Sequence, residues 1–201
     1  MRREAPPLLP IFRSRHQADL LAILLLHPDQ DYTLTELARR LNVPLSTLHT
    51  EAQRLIDAGL LTVRTVGRAR LLRANVANRL IAPLTHLLTL TFGPHIVLAE
   101  VFAAIPGIQQ VLIFGSWAAR YHGQPGPPPG DVDVLVIGTP ERGAVYEAAD
   151  AAQDRLGLPV NPTVCSPQRW QQASDALIQQ IQASPTVTVL GGDGDGAQVA
   201  V

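Results

Sequence analysis

Apolar positions along this chain recur at a helical period, then at a period of two, and then the cycle repeats. Leu20, Leu21, Ile23, Leu24 and Leu25 predict a helix over residues 14–27. Thr33-Leu34-Thr35-Glu36 has the form of a capping box, so a second helix starts near Leu34 and runs to Leu41. Asn42-Val43-Pro44 turns the chain. A third helix follows over residues 45–58, with Leu45, Leu48, Ala52, Leu55 and Ile56 on its core face and Gly59 as its C-terminal cap. Residues 61–66 and 69–74 then alternate like strands around Gly67-Arg68, which makes a hairpin. Residues 78–91 are mostly apolar around Pro83 and read as a linker helix. Residues 94–105 read as the first helix of a second domain, ended by Pro106-Gly107. Two short apolar strands follow, residues 111–114 and 132–137. A helix at 142–156 carries Ala144, Val145, Ala148, Ala149, Ala152 and Leu156 on one stripe. A strand at 159–164, an amphipathic helix at 170–183 and an extended segment at 186–190 complete the pattern before a Gly-rich tail.

Helix, turn, helix and hairpin over residues 32–73 form a winged helix-turn-helix pattern. This segment resembles the winged-helix regulators of the ArsR and MarR type. The resemblance implies that the second helix of the turn unit enters the major groove of double-stranded DNA. Ser46, Thr47, His49 and Thr50 are then the base-edge candidates, and Gln53 and Arg54 suit phosphates or outer bases. Arg64, Arg68 and Arg70 on the wing would meet the backbone or minor groove. Related regulators pair through helices flanking the wing, which implies a homodimer. A winged helix that mediates only protein contacts is the alternative.

The strongest chemical signal lies further on. Gly115-Ser116 ends an apolar strand, and Asp131-Val132-Asp133 opens another after a Pro/Gly-rich loop. Glycine lets the backbone turn sharply beside a ligand, and Ser116 opens a helix whose free N–H groups suit a phosphate. Carboxylates two apart on a strand share a face, roughly 6–7 Å apart. Their repulsion is relieved by a divalent cation, and hard oxygen ligands suit Mg²⁺. A plain strand-turn-helix with two surface aspartates is the bland alternative.

These residues resemble the signature of the polymerase-β-like nucleotidyltransferases, in particular their minimal domains. The resemblance implies that Gly115 and Ser116 hold the triphosphate of a nucleotide and that Asp131 and Asp133 hold Mg²⁺ and serve catalysis. It also implies a third carboxylate on the strand after the next helix, where this chain has Asn161. Asparagine keeps a carbonyl ligand but loses charge and basicity, which weakens catalysis more than binding. Arg120 could reach a phosphate, although its direction around the helix differs from the family pattern.

The expected fold is therefore α+β in two domains: an N-terminal winged helix-turn-helix, and a C-terminal nucleotidyltransferase-like mixed sheet flanked by helices. The expected boundaries are residues 12–76, a linker helix at 77–92, the second domain at 93–190 and a flexible tail at 191–201. Charge divides the same way. Residues 1–80 hold twelve arginines against seven acids, and residues 81–201 hold four against ten. One end of a near-neutral chain thus suits a phosphate backbone. The lone Cys165 allows no internal disulfide, and a cytoplasmic location is expected. The longest unbroken apolar run, residues 20–26, is far short of a membrane span, so no membrane association is expected. Two functions fit these observations. One is a DNA-binding transcriptional regulator whose second domain binds nucleotide and Mg²⁺. The other is an active nucleotidyltransferase that passes a nucleotide to a protein or nucleic-acid acceptor, as in toxin–antitoxin pairs.

Overall fold

The computed structural model of the chain describes residues 12–173 and 175–191. The prolines at 6, 7 and 10 and the tail from residue 192 lie outside the described residues. The chain divides into two compact units, Met1–Phe92 and Gly93–Val201.

In the first unit, local capping sets the helix limits. Helix α1 (Arg15–Leu26) starts where the Ser14 hydroxyl accepts a hydrogen bond from the Gln17 N–H at 3.1 Å. A two-residue strand β1 (Tyr32–Thr33) leads into α2 (Leu34–Leu41), whose first turn is capped by Thr33 Oγ1 accepting from Glu36 N–H at 3.1 Å. Asn42 ends α2 in the left-handed region, at φ +53°, which asparagine tolerates better than most residues. Helix α3 (Leu45–Asp57) closes in a Schellman motif. Gly59 takes φ +70°, its N–H bonds to Ile56 O, and Leu60 N–H bonds to Leu55 O. Strands β2 (Leu61–Val66) and β3 (Ala69–Ala74) form the hairpin, with Gly67 in its two-residue turn. The antiparallel sheet has the order β1-β3-β2.

The core of this unit gathers Leu20, Leu24 and Leu25 from α1, Leu37 from α2, Leu48 and Leu55 from α3, and Leu61 and Leu72 from the sheet. Two details differ from the sequence pattern. Leu45, expected on the core face, is 50% exposed, because it is the first residue of α3. The segment read as a linker forms α4 (Ile81–Phe92), which packs on α1 and buries Ile81 and Leu88 in the same core.

In the second unit, α5 (Pro94–Phe102) precedes β4 (Ile108–Phe114), α6 (Gly115–Tyr121) and β5 (Val132–Gly138). Helix α7 (Arg142–Leu156) crosses to β6 (Val160–Cys165), and α8 (Pro167–Gln172), α9 (Ala176–Gln182) and β7 (Val187–Leu190) follow. The mixed sheet has the order β6-β5-β4-β7, with β5 and β6 parallel and the other pairs antiparallel. Val111, Ile113, Val132, Val134 and Val136 pack with Leu98, Phe102, Val145, Ala149 and Ala152. Leu112, Leu135, Ile137 and Cys165 pack with Ile178 and Ile181 of α9. Alternation along β5 therefore puts Asp133 on the Leu135 side of the sheet. The helix expected over residues 170–183 is two helices instead. Ala173 adopts φ +46°, which breaks the first, and the Asp175 carboxylate caps the second through Ile178 N–H.

Ile81–Phe102 is long and apolar enough, by length and composition, to cross a bilayer, with a mean hydropathy of 1.4. Of its most apolar 18 residues 44% are buried, and Gly93 separates α4 from α5 within it. The two halves feed different cores, Leu88 in the first unit and Leu98 in the second.

Leu24 and Ile113 are both fully buried, one in each unit. Leu24→Ala and Ile113→Ala are each expected to destabilise the protein by about 2–5 kcal/mol, from lost transfer energy and the cavity left behind. Urea unfolding measures this, and a change below about 0.5 kcal/mol would contradict the packing.

Candidate functional site

The end of β4 and the start of β5 bring the Gly-Ser turn and the paired aspartates together. Phe114 is in register with Asp133, and Asp133 is in register with Asn161 on the parallel neighbour β6. Gly115, immediately after Phe114, has φ +72°. A Cβ there would fall 2.7 Å from Asp133 Oδ2, so a side chain would collide with the carboxylate as well as strain the backbone. Ser116 is exposed beside it, and the buried Trp117 fixes α6 beneath the turn.

Asn161 closes the constellation. Its amide Nδ2 donates to Asp131 Oδ2 at 3.0 Å and to Asp133 Oδ1 at 3.3 Å. A positively polarised N–H₂ thus lies against both carboxylates, where a cation would balance them. Burial pushes the Asp133 carboxyl above its ordinary range; the Asn161 hydrogen bond offsets part of this, and the charge of Asp131 adds to it. Among the described residues, no group of three or more His, Cys, Asp or Glu is placed to hold a metal. Mg²⁺ commonly takes one or two carboxylates from a protein and completes its shell with phosphate and water. Asp131 and Asp133 meet that requirement, and Asn161 would add a neutral oxygen if its amide turned over. The donor set fits Mg²⁺ with one negative charge fewer than three acids would give.

Arg120 has a different surrounding from the one its sequence position suggests. Its guanidinium donates to the Gln124 carbonyl and lies against Gly126, where a Cβ would meet Nη1 at 2.2 Å. The side chain is held in the loop that follows α6.

In the first unit, the predicted DNA-reading residues stand along α3. Ser46, His49 and Thr50 are exposed and Thr47 is half-buried. Thr50 Oγ1 donates to Ser46 O at 3.0 Å, and Gln53 Nε2 donates to Asp57 Oδ1 at 2.8 Å. Arg54 pairs with Glu51 at 2.9 Å. A shallow hollow between α3 and the wing is lined by His49, Gln53 and Arg70 together with Ala52, Ile56 and Val63. Arg68 occupies the exposed wing turn. Arg64 lies elsewhere, in an ion pair with Asp31. Sequence reading missed the ion pairs of Asp29 and Asp31 with the wing, because nothing local links residues more than forty or thirty positions apart.

No curated protein matches the chain. Among solved structures, the chain is similar to one from the complex of tri-AMPylated Shewanella oneidensis HEPN toxin with MNT antitoxin. That match has 17% identity over 49% of this chain and 71% of the other, with a TM-score of 0.34. A mutant of the toxin–antitoxin MntA-HpeT matches at 16% identity over 49% and 74%, with a TM-score of 0.37. A toxin–antitoxin with AMP-PNP matches at 18% identity over 49% and 74%, with a TM-score of 0.36. Residues 13–70 match the model of the MarR family. That stretch runs from α1 to the wing and is similar to the winged helix of that family.

Proposed function

We propose that this protein is a cytoplasmic, homodimeric regulator that binds double-stranded DNA through its winged helix and holds a nucleoside triphosphate with Mg²⁺ in its second unit, with little transfer of the nucleotide. The observation that carries the second half is Asn161 lying against both Asp131 and Asp133. Gly115 and Ser116 would accommodate the phosphates and the two aspartates would hold Mg²⁺. When bound, the ion supplies positive charge against the phosphate oxygens. Transfer also needs a group that takes the proton of an attacking hydroxyl on a protein or nucleic-acid acceptor. A carboxamide cannot do this at neutral pH, and the two remaining carboxylates would be committed to the metal.

The first half rests on the MarR-family match together with the exposed face of α3 and the Arg68-Arg70 wing. Ser46, Thr47, His49 and Thr50 would read base edges near the start of α3, and Arg68 would contact the backbone. Pairing of two copies would set two recognition helices about one turn of DNA apart. Leu80, Leu87 and Leu90, at 62%, 37% and 38% exposure, offer an apolar stripe at and along α4 for that pairing.

In gel-shift titrations the full-length protein should bind duplex DNA with strong salt dependence. Arg68→Ala should weaken all sequences alike and reduce the slope of log K against log salt by about 0.9. Thr47→Ala should instead relax sequence preference, by about 1–3 kcal/mol for a lost base contact. Absence of retardation at low salt with every duplex would remove the DNA reading.

Calorimetry should detect Mg²⁺-dependent nucleoside triphosphate binding, abolished in Asp133→Ala. Asn161→Asp should raise transfer of an α-labelled nucleotide to cell proteins or nucleic acid by about 10²-fold or more. Strong labelling by the unmodified protein, lost in Asp131→Ala, would make it an active transferase instead.

Light scattering at micromolar concentration should give twice the chain mass. A monomer mass alone would contradict the pairing through α4.

A further inference from the structure

An acidic turn ahead of β1 fastens onto the wing. Arg64 Nη2 meets Asp31 Oδ2 at 2.5 Å, and Arg73 Nη2 meets Asp29 Oδ1 at 3.1 Å. Strand alternation places Val63, Arg70 and Leu72 on the side that faces α3, so Arg64 and Arg73 lie on the opposite side. Strand β2, which carries Arg64, is an edge of its sheet and leads directly to the wing turn at Gly67-Arg68.

The two pairs differ in what they leave behind when opened. The Asp31 side chain is only 19% exposed, and its second oxygen, Oδ1, is buried with no hydrogen-bond partner. Arg64 itself is 62% exposed. An ordinary surface pair is worth little, and DNA would readily compete for its arginine. Here removal of Arg64 leaves a largely covered carboxylate with no counter-charge, which is the costly way to break such a pair. A phosphate cannot replace the arginine, because it has the same sign as Asp31. Asp29, by contrast, is 77% exposed, and Arg73 is also held by its Nε donating to the Pro28 carbonyl at 2.9 Å.

Resting on the DNA-binding reading above, we infer that Asp31 withdraws Arg64 from the DNA-contacting set and so limits the affinity of the winged helix for a phosphate backbone. Arg68 and Arg70, which make no ion pair among the described residues, are left to supply the wing's charge. Asp31 is thus an affinity-determining residue that acts through Arg64.

The test is a salt series of fluorescence anisotropy with the full-length protein and a mixed-sequence duplex. Asp31→Asn should steepen the slope of log K against log salt by about 0.9 and tighten binding on the order of fivefold at about 0.1 M salt. Adding Arg64→Ala to that variant should return the slope to that of the parent. Asp29→Asn should keep the parent slope, because Pro28 still holds Arg73. Melting curves establish that each variant folds. An unchanged slope in folded Asp31→Asn overturns the inference. If Asp31→Asn does not fold, Arg64→Ala alone decides: a slope loss equal to that of Arg68→Ala overturns it, and a clearly smaller loss supports it. A parent that binds no duplex at low salt overturns the DNA reading instead, and every variant would then be silent.

Discussion

Two carboxylates facing one another must be balanced by something positive, and the candidate site of the second unit is organised around that requirement. Register in the sheet brings Asp133 beside Asn161, and Asn161 reaches both aspartates. Its amide offers a partial charge where a metal would offer two full ones. Partial neutralisation eases the repulsion and leaves a net negative charge that a divalent cation would balance. Gly115 serves the same end, since a larger residue would displace the Asp133 carboxylate from its position against the turn.

The first unit solves a similar problem with opposite emphasis. Its arginines must not all be free, because an exposed hairpin with no counter-charge would repel itself and bind any polyanion. Asp29 and Asp31 settle two of them, and the remaining positive charge is concentrated at the wing turn and on the α3-facing side. Both units thus match buried or crowded charge with a partner from a distant strand or turn.

What could be read from sequence alone followed the range of the interactions. Helices α1, α2 and α3 were legible because their signals are local: Ser14, the Thr33–Glu36 box, and Gly59. The Gly115 turn and the Asp131–Asp133 pair were legible for the same reason, as contiguous motifs. Strand β1 was not, since two residues carry no period and its pairing partner is β3, about forty positions away. The break at Ala173 was hidden because alanine favours helices, and the Gln179 side chain that donates to the Ala173 carbonyl lies six positions further on. Asn161 was placed by counting strands, but its bonds to residues 30 and 28 positions earlier needed the parallel register to become visible. The ion pairs of the wing had no local signature at all.

Strand β2 lies at an open border of its sheet, with half its peptide groups facing outward. Such a border is a template on which another chain can add a strand, and the run Leu61–Val66 has the β-branched composition that favours this. Arg64 stands in the middle of that run. A charged, ion-paired side chain there disfavours the flat stacking of foreign strands, so the same arginine that Asp31 holds also guards the protein against aggregation. Replacement by valine or isoleucine would fit the local strand preference and would remove the one charge from this border, trading solubility for propensity.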